Sequence, residues 1–148
     1  MSYDSLKLLH IMSAALVLTS IAYCVYLWKL IPKSRDTLLL SDRIQSQTWL
    51  VIVPFSTIQL ASGFTLISLK HYHFSELWIM GSIISFIAVI GGWFAFIYFL
   101  LLSQHAAISV TTHTPAKFYR HLQSLMLSLC ALALLTMVFF MANKITRI

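Results

Sequence analysis

Four long apolar runs separated by short polar connections set the pattern of this chain. They extend from about Leu6 to Ile31, Thr48 to Leu69, Leu77 to Ser103 and Tyr119 to Ala142. A helix needs roughly 20 mostly apolar residues to cross a hydrocarbon core about 30 Å thick, and each run is that long. None alternates apolar and polar residues with the period of two that a barrel strand shows. Only helices and closed barrels satisfy their backbone inside lipid. The pattern therefore predicts an all-α integral membrane protein, a four-helix transmembrane bundle built as a single domain over residues 1–148.

The connections differ in character. The first, Pro32 to Gln47, is polar, and its stretch Asp36 to Leu40 reads as a short amphipathic segment on the membrane surface. The second, Lys70 to Glu76, is tight. The third holds His113 and Pro115, and proline suits a turn or a first helical turn. Tyr3, Trp28, Trp49, Tyr72, Trp78, Tyr98 and Tyr119 lie near run ends, where aromatic side chains anchor a helix to the interface. The first run is too long for the apolar core of a cleavable leader. It ends in Trp28-Lys29-Leu30, so it is expected to remain as a signal anchor.

Composition agrees with this picture. Charged residues make up 9% of the chain and hydrophobic residues 59%, whereas soluble chains carry about 25% charged residues. The net charge of +6 comes from basic residues at the ends of the apolar runs. That placement fits topology signals and contact with anionic headgroups, not nucleic acid. The side holding the first and third connections has Lys29, Lys33, Arg35, Arg43, Lys117 and Arg120, against Lys7, Lys70, Lys144 and Arg147 on the other. The positive-inside rule then puts both termini outside the cytoplasm. Cys24 and Cys130 sit inside apolar runs and read as buried small hydrophobes.

Polar residues within the runs are expected to face the protein interior. His10, Ser13, Ser20 and Cys24 share a face of the first helix; Ser56, Gln59 and Gly63 share one in the second, after a kink at Pro54. Ser82, Ser85 and the pair Gly91-Gly92 invite close approach to the third, and His121, Ser124 and Ser128 line up on the fourth. His10 is the sharpest candidate: an ionisable group inside a span is a functional candidate by default. It can ligate a metal or heme iron, or hydrogen-bond a neighbouring helix. Gln59 must find partners on another helix, or orient a cofactor or quinone. His71 and His73, on the same side as His10, form an HxH that with nearby Met would suit copper. A hydrated turn with two ordinary histidines fits the same residues.

The opening Leu6-Lys7-Leu8-Leu9-His10-Ile11-Met12-Ser13-Ala14 resembles that of a bacterial family of predicted integral membrane proteins, the domain of unknown function 2269. So do Pro54, Gln59 and Gly63, Trp78 and Trp93, and Phe118-Tyr119-Arg120, and the likeness covers nearly the whole chain. It implies a multi-pass protein of the bacterial inner membrane and no assigned activity. The first helix is also similar to those of the heme-containing membrane protoporphyrinogen oxidase and of copper-resistance D type proteins. The first likeness implies a heme ligand at His10. That oxidase has Trp, Lys and a second His on its third helix. Here Trp78 is present, but Ser82 and Trp93 stand near where the Lys and the second His would be.

The chain has no Ser/His/Asp set, no glycine-rich phosphate loop, no HExxH and no carboxylate inside a span. The expectation is an uncharacterised inner-membrane protein, a non-enzymatic bundle or a membrane-complex partner, held in the lipid bilayer with another membrane protein or as a homo-oligomer. The alternatives are a redox protein holding heme b or another porphyrin with His10 as axial ligand and Gln59 beside it, and a copper-handling protein using His10, His71 and His73.

Overall fold

The computed structural model describes residues 3–31, 37–73, 76–108 and 116–145. They form five α-helices: α1 (Tyr3–Leu30), α2 (Thr37–Gln47), α3 (Val53–Leu69), α4 (Leu77–Ile108) and α5 (Ala116–Ile145). Four stretches are long and apolar enough to cross a membrane: Tyr3–Leu30, Thr37–Leu69, Leu77–His105 and Lys117–Phe140. No strand occurs among the described residues. The all-α, four-span membrane architecture predicted from the apolar runs is the one observed. Lys33, Arg35 and Asp36 of the first connection, and His113 and Pro115 of the third, lie outside the described residues.

The second span differs from the sequence expectation. It starts at Thr37 instead of about Thr48, because α2 continues into α3 through a π-helical turn, Thr48–Ile52. From Thr37 on, the stretch expected on the membrane surface is thus part of the same rod. Two features of the sequence account for the π turn. Pro54 has no N–H and cannot bond the carbonyl four residues back. The N–H of Val53 instead reaches Thr48 O, five residues back. The second feature is the spacing of the buried positions Ile44, Thr48, Ile52 and Ser56. In a straight α-helix each step of four drifts about 40° around the axis. The wider π turn cancels part of that drift and keeps the four residues on one stripe.

The chain divides into two compact units, Met1–His73 and Phe74–Ile148. In the first, α1 runs antiparallel to the α2–α3 rod. Tyr3 lies level with Lys70, whose ammonium sits 4.7 Å from the Tyr3 ring centroid. His10 lies level with Ser62, and Cys24 with Ile44, whose carbonyl accepts from both Cys24 Sγ and Thr48 Oγ1. Cys24, Ile44 and Thr48 are completely buried. In the second unit α4 and α5 are antiparallel and close. The Gly81 backbone meets the Phe140 ring, Gly92 meets Cys130 Sγ, and Ser85 Oγ bonds Thr136 Oγ1 at 3.1 Å. Toward the other end, Gln123 Nε2 donates to Phe99 O and Ser103 Oγ.

Packing within the second unit uses only part of what the sequence singles out. Between α4 and α5, Gly92 of the glycine pair serves close approach, while a Cβ at Gly91 would meet nothing within 4 Å among the described residues. The stripe His121, Ser124 and Ser128 lies off the face that α5 turns to α4, which carries Gln123 and Cys130 instead. Ser128 Oγ bonds its own helix at Ser124 O. A hydroxyl can satisfy itself within its helix, so its presence in a span does not fix which way it points.

Candidate functional site

The polar groups of α1 and α3 converge about two turns inside the Tyr3 end of α1. Leu6, Ser13 and Val17 recur at helical spacing along its buried face, and His10, half-buried, shares that face. From α3 the matching stripe is Ser56, Gln59 and Ser62, all buried. Antiparallel pairing brings His10 against Ser62 and Gln59, and Ser13 against Gln59.

The resulting network closes on itself. Gln59 Nε2 lies 3.0 Å from His10 Nε2. An amide nitrogen only donates, so the ring accepts at Nε2 and carries its hydrogen on Nδ1. That Nδ1–H donates to Ser62 Oγ at 2.8 Å. The Ser62 hydroxyl donates onward to Gln59 O at 3.1 Å. Ser13 Oγ donates to Gln59 Oε1 at 2.6 Å and has His10 O within 2.9 Å as a second acceptor. Every polar side-chain atom of the four residues therefore has a partner while the imidazole is neutral. Gly63 makes the arrangement possible: a Cβ there would stand 3.2 Å from His10 Cε1.

Of the residues singled out from sequence, His10, Ser13, Gln59 and Gly63 come together here. Ser62 completes the site and is absent from the sequence-predicted set, although its position three residues after Gln59 on a helix marks the same face. Ser20 is half-buried farther along α1. Ser56 is buried one turn before Gln59, yet its Oγ finds no hydrogen-bond partner among the described residues.

His71 and His73 lie elsewhere, at the end of α3. Ser62 and Lys70 are eight residues apart along one helix, about 12 Å at 1.5 Å per residue. His10 is level with the first and the histidine pair follows the second. They do not share one coordination sphere, where ligand nitrogens stand about 2 Å from the ion. Among the described residues no three His, Cys, Asp or Glu side chains gather as a metal site. Met1 lies outside the described residues. At His10 a heme iron or copper ion would have to displace Gln59 from Nε2 or Ser62 from Nδ1.

His71 has a clear backbone role. Its φ is 52°, its N–H donates to Ser68 O, and the next N–H, of Tyr72, donates to Ile67 O. This is the Schellman ending, in which a left-handed residue just past the helix directs two N–H groups to its last free carbonyls. Glu76 has a comparable role at the start of α4, where its carboxylate accepts from the Trp78 indole at 2.5 Å and its carbonyl from the N–H groups of Ile79 and Met80.

No curated protein and no solved structure matches the chain. A family model described as predicted integral membrane protein, DUF2269, matches residues 4–145. With four apolar spans and a match over nearly its full length, the chain belongs to the DUF2269 family of predicted integral membrane proteins.

Proposed function

We propose that this is a non-enzymatic component of the bacterial inner membrane, a small helical scaffold that acts as partner or subunit for another membrane protein. The observation behind this reading is the closure of the polar network. His10, Ser13, Gln59 and Ser62 spend their donors and acceptors on one another. Among the described residues the carboxylates of the first unit, Asp4 and Asp42, are exposed, and Glu76 of the second is taken up in starting α4. Such a network serves to join two helices.

The test is purification without a histidine tag, followed by visible absorption, metal analysis and native sizing of gently solubilised membranes. The expected protein is colourless and free of stoichiometric metal, and in native membranes it migrates in an assembly larger than the purified chain. A porphyrin absorption band lost in His10→Ala would replace this reading with a heme-binding one. Stoichiometric copper lost in His71→Ala would replace it with a copper-handling one.

A further inference from the structure

We propose that His10 and Gln59 form a two-position latch: when the ring takes up a proton at Nε2, the Gln59 amide turns over, and α1 and α3 stay joined through the reversed set of hydrogen bonds. The latch follows from donor and acceptor accounting and is independent of the function proposed above.

In the neutral form the amide donates to Nε2 across 3.0 Å. A proton at Nε2 would set two donors face to face at that distance. Half a turn of the amide about its last side-chain bond exchanges oxygen and nitrogen. The carbonyl oxygen then accepts from Nε2–H, and the amide NH2 faces Ser13 Oγ, which lies 2.6 Å from the present oxygen position. Ser13 becomes an acceptor and needs a new destination for its own hydrogen. His10 O is already 2.9 Å away and takes it. Ser62 is unchanged: it accepts from Nδ1–H and donates to Gln59 O in both positions. One proton enters from water, no proton moves between heavy atoms of the protein, and each polar atom keeps a partner.

Among the described residues of the first unit no titratable neighbour competes for this proton. The α3 residues against the ring are Gln59, Ser62 and Gly63. α2 and the π turn pack toward Cys24, at the far end of α1. On α1 itself Lys7 is exposed one turn away and Asp4 two turns away, while Lys70 stands over Tyr3 just past α3. The ring is half-buried and about 10 Å along α1 from Tyr3, so its proton comes from the side on which the chain starts.

The test is NMR of the full chain in lipid nanodiscs with ¹⁵N-labelled histidine and glutamine. At the alkaline end His10 is expected to carry its hydrogen on Nδ1. On acidification from that end, the His10 ring and the Gln59 side-chain NH2 signals should move together with one midpoint. The side-chain amide of Gln45, on α2, should not move. A ring that stays neutral throughout, a neutral ring protonated on Nε2, or a ring that titrates while the Gln59 signals stand still would each overturn the latch.

Discussion

His71 and Ser62 separate two ways in which a polar residue can be held. His71 sits in a left-handed conformation that costs a non-glycine residue about 1–2 kcal/mol, and its N–H is used in closing α3. His71→Gly is therefore expected to leave stability unchanged or raise it by up to about 1 kcal/mol, since glycine regains the strain and loses part of it in chain entropy. Unfolding in detergent measures this, and a clear loss of stability would mean that the imidazole itself is needed. Ser62→Ala removes the acceptor of His10 Nδ1–H and is expected to cost about 1–3 kcal/mol, as an orphaned buried donor does. Ser56→Ala removes a buried hydroxyl that has no partner among the described residues, so it should be neutral or stabilising. Equal losses for the two serine variants would contradict the network. His10 and Gln59 are legible as interior residues because an imidazole and an amide in an apolar run are conspicuous. Ser62 is not, because a serine in a span can always bond its own helix.

Among the helices, the glycine pair of α4 gives the sharpest contrast. A methyl group at Gly92 would stand 2.7 Å from Cys130 Sγ, which is held at Val89 O. Gly92→Ala should therefore lose about 1–3 kcal/mol, the usual cost of overpacking. Gly91→Ala enters open space and should be neutral or gain up to about 1 kcal/mol from helix propensity. Melting temperatures of the two single variants decide it, and a matched decrease would show that both glycines line an interface. The same local reasoning explains why the second span starts earlier than its hydropathy suggests. Hydropathy sees Asp42, Arg43, Gln45, Ser46 and Gln47 and begins the run at Thr48. The backbone sees no proline between residues 37 and 53 and continues as a helix. Ser41 and Ile44 are buried, Ile44 against α1, which offsets the low hydrophobicity of α2.

For the whole molecule, the helices are longer than the bilayer core. With 28 residues in α1 and 33 in the rod of residues 37–69, their lengths are about 42 Å and about 50 Å, against a hydrocarbon thickness of about 30 Å. The excess of the rod contains Asp42 and Arg43, both exposed, and sits at the end of α1 where Lys29 is exposed. Polar helix beyond the core is what such an excess should contain, because tilt alone seldom absorbs so much. By the positive-inside rule this end is the one expected in the cytoplasm. Reporter fusions within residues 32–36 and after Ile148 are expected to read cytoplasmic and non-cytoplasmic respectively. A cytoplasmic reading after Ile148 would reverse the orientation.

The number of spans, their helical nature and the membrane as solvent were determined by the sequence alone. Each depends on the length and continuity of apolar runs, and a backbone in lipid has almost no alternative to the helix. The partners of each polar residue were decided only by tertiary structure. One helix places a serine, a histidine or a glycine on a face. Whether that face meets another helix depends on which pairs pack and in what vertical register. The antiparallel register of α1 on α3 put His10 against Gln59 and Ser62, and that of α4 on α5 left His121, Ser124 and Ser128 off the shared face. These outcomes come from contacts between residues on different helices, far apart in the chain, which no local pattern encodes.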